Sequence, residues 1–341
     1  MIKVELKNVG KILREHYEIL TVTKGKSHSL IDLLDKKIVF HAAIPDLVKM
    51  YNDLKTHVII NNQFSILTAT PFELQAFRDR FEKDHSRILD TVHTPAKIVN
   101  GKKDGKDKTY RDDVLKVFYY NNYNKWKAYE LANKISTNVC PYCNRNYTIV
   151  LGSDASKGTR FEFDHFFDKA TYPYLALSFY NLIPSCHICN STLKGTDKFN
   201  IEDNIHPYLE GFSDNIVFSL APRNINFING KSSSYRIKFK KHRLNQFSNK
   251  KIGAAFNNIK TFKLAQLYNM HKDYVNEIIQ KSVIYNDDYI KDLFLKYGGT
   301  LFSSEDEVRR MVLGNYIQES DFSKRPLSKL TRDIARELKI F

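Results

Sequence analysis

The chain has 341 residues, with 53 Lys+Arg against 38 Asp+Glu and a formal net charge of +15. Apolar residues at 42% and aromatics at 13% exclude a mainly disordered protein. No apolar run approaches the roughly 20 residues of a bilayer span, and the opening MIKVELKNVGKILREHYEIL has neither an apolar signal core nor a small-residue cleavage site. The expectation is a cytoplasmic chain with no membrane partner and a leaning toward polyanions.

Residues 1–108 read as an N-terminal α/β segment that carries no recognisable chemistry and suits partner docking. It mixes β-like runs such as HVII at 57–60 with helical patterns such as FELQAFRDRFEK at 72–83. The charged stretch TPAKIVNGKKDGKDK at 94–108 reads as an exposed loop or linker. From Tyr110 to Ile135 the periodicity is helical, with Val114, Leu115 and Phe118 on one stripe and Trp126, Tyr129 and Ala132 on another. A core spanning 109–210 follows from the cysteine pattern below. Residues 211–341 then form a basic strand segment and a helical C-terminal region. In that region Ser304 and Glu307 predict a capping box, and Leu327, Leu330, Ile334 and Leu338 predict a last helix.

The four cysteines form two C-x-x-C pairs, Cys140/Cys143 and Cys186/Cys189, with 42 residues between them. In a reducing compartment such paired knuckles predict one structural Zn²⁺ held by four thiolates. The first knuckle, CPYC, also matches glutaredoxin-type redox sites, but that chemistry needs a βαβ unit and has no use for a second knuckle. His187, inside the second knuckle, is a possible substitute zinc ligand that four cysteines make unnecessary.

Between the knuckles lie FEFDHFFDK at 161–169 and YPYLALSFYNLIPSCHICNSTLKG at 172–195. Phosphodiester hydrolysis needs a divalent ion to neutralise phosphate and a base to activate water. Asp164 is a hard oxygen donor suited to Mg²⁺ or Mn²⁺, and its neighbour His165 takes a proton near neutral pH. Phe161, Glu162 and Phe163 alternate as a strand, which places Asp164 and His165 at its end and turns Glu162 away from the site. Asn181 precedes the short apolar run Leu182-Ile183-Pro184, and Asn190 follows Cys189 where a helix begins.

This constellation resembles the HNH nucleases of the ββα-metal superfamily. It is carried by Asp164-His165, Asn181-Leu182 and Cys186-His187-Ile188-Cys189-Asn190 with Lys194, over about 70 residues. The phrases CPYCNRNY, YPYLALSFYNLIPSC, HPYLE and RPLSKLTRDI also resemble bacterial HNH proteins of Septu-type anti-phage systems, encoded beside an ATPase. The resemblance implies an α+β protein whose central ββα-metal module is pinned by a Cys₄ zinc and flanked by mainly helical segments. It implies His165 as general base, Asp164 and Asn190 as ligands of a catalytic Mg²⁺ or Mn²⁺, and Asn181 as the holder of the loop that orients His165. It further implies a DNA endonuclease leaving 5′-phosphate and 3′-hydroxyl ends, serving antiviral defence with an ATPase partner. RNA is the other possible substrate. Asp168 stands before Lys169 where relatives often carry Pro-Lys, so it alters the loop or adds a carboxylate near the metal. His206 is a further candidate for the site, and Lys194 either contacts phosphate or is a solvated helix residue.

The charge has a location. Residues 1–139 hold 24 Lys+Arg and 17 Asp+Glu, a net of 24 − 17 = +7. Residues 215–272 hold twelve Lys or Arg and no acid at all. Within them YRIKFKKH at 235–242 alternates as a half-buried strand, and Arg236, Lys238, Lys240, Lys241 and Arg243 form a basic face suited to nucleic-acid phosphates. Lysines that protect an edge strand from pairing produce the same pattern. Two rival functions stand beside the nuclease: a non-catalytic zinc module that binds nucleic acid or protein, and a thiol oxidoreductase using Cys140 and Cys143.

Overall fold

The structure is a computed structural model that describes residues 1–22, 28–61, 64–99, 102–119, 128–135, 137–153, 157–227, 232 and 234–340. It is α+β, with about half of the chain helical and four two-stranded antiparallel sheets among the described residues. No helix among the described residues is long and apolar enough to cross a membrane.

Four helices open the chain: α1 (Val9–Thr21), α2 (Leu30–Phe40), α3 (Pro45–Val58) and α4 (Pro71–Leu89). Their starts are chemically marked. Ser29 with Asp32 and Thr70 with Glu73 form capping boxes, and Pro45 and Pro71 occupy first helical positions whose N–H needs no partner. The β-like reading of HVII fails because α3 runs on through Val58. Its stripe of Leu47, Met50, Tyr51, Leu54 and Val58 is fully buried at helical spacing, and that long-range burial outweighs a local β-branched preference.

The charged stretch at 94–108 is not a plain loop. Strands β1 (Val92–Thr94) and β4 (Lys108–Thr109) pair with each other and enclose the hairpin of β2 (Lys97–Val99) and β3 (Lys102–Asp104). Both ends of the stretch therefore return to one place, against α5 (Tyr110–Val117), so it is not a linker between separate units. The expected helix over 110–135 is two helices, α5 and α6 (Ala128–Ile135). Val114, Phe118 and Ala132 are buried as predicted, whereas Trp126 lies outside the described residues.

The stretch with the candidate site consists of β5 (Glu162–His165) paired with β6 (Leu182–Ser185), followed by a π-helical turn at Ile188–Lys194. A second hairpin joins β7 (Ile216–Pro222) to β8 (Tyr235–Lys241). The predicted alternation in β8 holds: Tyr235 and Ile237 are buried, and Arg236, Lys238, Lys240 and Lys241 are exposed. Helices α7 (Asn249–Thr261), α8 (Leu264–Tyr268), α9 (Lys272–Ile284), α10 (Asp287–Tyr297), α11 (Glu305–Leu313) and α12 (Ser328–Glu337) complete the chain. The Ser304 cap forms differently from the expectation, since Glu307 accepts from the Ser303 N–H and the Ser304 side chain makes no cap bond.

One hydrophobic cluster runs from Met1 to Ile340 and includes all three sequence segments, so the boundaries at 108 and 210 do not separate independent cores. Helix α12 is its C-terminal anchor, with Leu330, Ile334 and Ala335 fully buried. Its carboxylates do backbone work. Asp333 accepts from the Phe218 N–H at 3.0 Å and Glu337 from the Leu220 N–H at 2.8 Å, which covers the free edge of β7. Across the hairpin, Asn269 bonds both the N–H and the carbonyl of Ile237 and covers the edge of β8.

Candidate active site and metal centre

The four cysteine sulfurs lie within 4.8 Å of one another. A tetrahedron with Zn–S bonds of about 2.3 Å places its sulfurs about 3.8 Å apart, and Cys143 Sγ is 4.0 Å from Cys186 Sγ. The donor set, its closeness and its burial fit a metal such as zinc. Backbone bonds shape the first knuckle: the Asn144 N–H reaches the Cys140 carbonyl and the Cys140 N–H reaches the Asn146 carbonyl. Asn144 sits at φ 48°, a left-handed conformation that Asn tolerates better than most side chains. Its carbonyl accepts from the Leu327 N–H, and its side chain bonds the Lys329 N–H and the Phe322 carbonyl. The knuckle thus holds the start of α12. His187 is exposed and turns to Glu162, outside the four-sulfur group.

His165 ends β5. Its Nε2 lies 3.1 Å from the Ala176 carbonyl, and a carbonyl can only accept, so Nε2 carries the proton and Nδ1 has the free lone pair. Burial, reinforced by the Lys169 charge, lowers its pKa to about 3. The ring is therefore neutral at physiological pH and able to accept a proton, as a weaker base than an ordinary histidine.

The turn that carries Ala176 is held from many sides. Asn181 accepts from the Phe167 N–H at 2.6 Å and donates to the Phe167 and Leu175 carbonyls, joining the end of β5 to the turn. The N-terminal helices hold the same turn: His16 of α1 donates to the Leu177 carbonyl at 2.8 Å, and Glu82 of α4 accepts from the Tyr174 hydroxyl at 2.8 Å. Arg111 of α5 pairs with Glu82 and donates to the Thr171 carbonyl at 2.6 Å. Residues 1–108 therefore position the His165 turn, a role that their own sequence does not display.

Asp164 and Asn190 are not brought to a common point. Asp164 is 2% exposed, and both its oxygens are taken. Lys194 Nζ is 2.9 Å from Oδ1, and the Tyr142 hydroxyl donates to Oδ2 at 2.6 Å. Burial, then the Asp164 charge, pushes the Tyr142 phenol well above its usual range and keeps it a donor. Lys194 also donates to the His165 carbonyl at 2.6 Å. It is neither solvated nor offered to phosphate, being buried as the counter-ion of Asp164. The expected metal position at Asp164 does not fit this geometry, because a buried ammonium already neutralises the carboxylate.

Asn190 instead meets Glu162, whose orientation differs from the expectation. Glu162 shares its strand face with Asp164 and turns toward the π-helical turn. His187 Nδ1 is 2.7 Å from Oε1, while Asn190 Nδ2 and the Ser191 hydroxyl lie 2.8 and 2.9 Å from Oε2. Partial burial opposes ionisation, but these three hydrogen bonds outweigh it and hold the carboxyl below its usual range. The two-residue period of a strand was the signal available for this placement.

The remaining candidates fall outside the site. His206 is buried against Phe166 with ring centroids 4.2 Å apart, and its Nδ1 accepts from the Tyr208 N–H. It is a core residue in this structure. Asp168 caps its own turn by accepting from the Thr171 N–H and hydroxyl, and adds no carboxylate to the Asp164 pair. No protein-family profile, curated protein or solved structure matches the chain.

Proposed function

We propose that this protein is a metal-dependent HNH-type endonuclease that hydrolyses phosphodiester bonds in nucleic acid, with DNA as the substrate. The observation that carries the reading is His165: a neutral imidazole whose Nε2–H is tied to the Ala176 carbonyl and whose Nδ1 is left to accept a proton. In the proposed reaction Nδ1 takes a proton from water as its oxygen attacks phosphorus. The P–O3′ bond then breaks, leaving a 5′-phosphate, and the 3′ oxygen acquires a proton. A bound divalent ion supplies charge neutralisation at the phosphate. The role of nuclease effector in anti-phage defence, acting with an ATPase, is part of the same proposal and rests on the sequence resemblance alone.

The basic face of β8 supports a polyanionic substrate. Asn269 covers the β8 edge at Ile237, which lessens the part edge protection need play there. Lys240 is the exception within the face, paired with Glu337 at 3.1 Å. Arg236, Lys238, Lys241 and Arg243 are exposed. Replacing Arg236, Lys238 and Lys241 together by Gln should weaken DNA binding in filter or anisotropy titrations. The slope of log K against log[salt] should fall by up to about three counter-ions. An unchanged slope would remove the face from the substrate path.

The reading is tested by incubating the purified protein with supercoiled and linear DNA in Mg²⁺ or Mn²⁺, alone and with the product of a neighbouring ATPase gene. Nicked or linear products with 5′-phosphate ends, suppressed by EDTA, are expected. Binding without any cleavage in every arm favours the second reading, a non-catalytic zinc module. One specific observation supports that reading: the Asp164 carboxylate is occupied by Lys194 and Tyr142.

A further inference from the structure

The occupied carboxylate and the exposed one stand two residues apart on one strand face, and their surroundings differ in kind. Asp164 is enclosed, with an ammonium on one oxygen and a phenol on the other. Glu162 is half-buried, its side chain 38% exposed, with an imidazole, a carboxamide and a hydroxyl converging on its oxygens. We propose that Glu162, His187 and Asn190 form a divalent-cation site, and that Lys194 serves as the permanent cation of Asp164 in place of a metal. This deepens the nuclease reading and rests on it for the site's use, but the site itself stands on geometry.

Cis donors on a six-coordinate ion with bonds of about 2.1 Å lie about 3.0 Å apart. Glu162 Oε1 and His187 Nδ1 are 2.7 Å apart, and Glu162 Oε2 is 2.8 Å from the Asn190 amide and 2.9 Å from the Ser191 hydroxyl. Each donor thus lies at about the cis spacing from a Glu162 oxygen, His187 on Oε1 and Asn190 and Ser191 on Oε2. His187 meets the requirement by carrying its proton on Nε2 and giving Nδ1 to the ion. A half-turn of the Asn190 amide, which exchanges its nearly indistinguishable O and N, presents Oδ1. A carboxylate, an imidazole and neutral oxygens make a mixed donor set that suits Mn²⁺ and its neighbours in the first transition row. The π-helical turn creates the arrangement by carrying Asn190 and Ser191 to Glu162 and Lys194 to Asp164 from a single seven-residue segment.

Mn²⁺ titration of the zinc-loaded full chain, followed by the electron paramagnetic resonance of free Mn²⁺, tests the site without reference to activity. The wild type should take up Mn²⁺ at one site. Glu162→Gln and His187→Ala, each with zinc content unchanged, should weaken that uptake at least tenfold, and Asp164→Asn, assayed below its melting temperature with zinc content unchanged, should leave it within twofold. Substoichiometric Mn²⁺ should also broaden the His187 ring protons of the wild-type protein first, which needs no variant to fold. No uptake at millimolar Mn²⁺, or uptake lost in Asp164→Asn and kept in Glu162→Gln, would overturn the proposal. Glu162-dependent uptake in a protein that cuts no nucleic acid would sink the nuclease reading and leave the cation site standing.

Discussion

Replacing Cys143 with Ser should cost the protein its zinc and several kcal/mol of stability, the largest effect expected of any single substitution. Zn²⁺ bound by thiolates is worth on the order of 10 kcal/mol to a small domain that lacks a preformed site. The hairpin of β5 and β6 has four residues in each strand, too little to stand alone. The four sulfurs join the first knuckle to the turn that follows this hairpin. Damage should also spread to the C-terminus, because Asn144 of the same knuckle bonds the first residues of α12. Elemental analysis should find about one zinc per wild-type chain under reducing conditions, and little in the variant. Thermal melting should fall by more than ten degrees or lose cooperativity. A zinc-free wild type that melts at the same temperature as the zinc-loaded protein would contradict the structural role, and thiol chemistry at Cys140 and Cys143 would then return.

Lys194→Met should destabilise the fold by about 3–5 kcal/mol, the range for removing one partner of a buried ion pair. The side chains of Lys194 and Asp164 are 1% and 2% exposed, so the orphaned carboxylate would have no water to turn to. Tyr142 would still donate to it, but one neutral hydrogen bond does not replace a buried counter-charge. The double variant Lys194→Met with Asp164→Asn should recover a large part of the loss, because it removes both charges. Denaturant unfolding of the two variants and the wild type measures this directly. A single variant within about 0.5 kcal/mol of the wild type would show that the pair is not closed to solvent. Lys194 also bonds the His165 carbonyl, so the single variant should slow cleavage through a loosened strand end.

The legible parts of the fold were those with strong local chemistry. The cysteine spacing announced a four-sulfur group, and the alternation in YRIKFKKH announced β8 with its basic outer face. The loop-holding role of Asn181 was implied only by the family resemblance, not by its local sequence, and its hydrogen bonds do join the end of β5 to the turn. What stayed hidden was long-range. His16, Glu82 and Arg111 reach the Ala176 turn across separations of 161, 92 and 60 residues, and their local sequence is that of ordinary amphipathic helices. The partner of Asp164 was hidden for another reason. Lys194 reads as solvated until the π-helical turn directs it inward, and such a turn has no marked signature in sequence. Glu162 is the avoidable miss, since strand alternation alone puts it beside Asp164.

His165→Ala tests the central claim most directly, because the claim rests on one imidazole nitrogen. The comparison is the cleavage rate of plasmid DNA by wild type and variant at equal zinc content and equal melting temperature. Loss of a general base predicts a fall of about 10²–10⁴-fold in rate with DNA binding retained. A variant that folds, holds its zinc and cuts as fast as the wild type would contradict the assignment of His165 and the reading built on it.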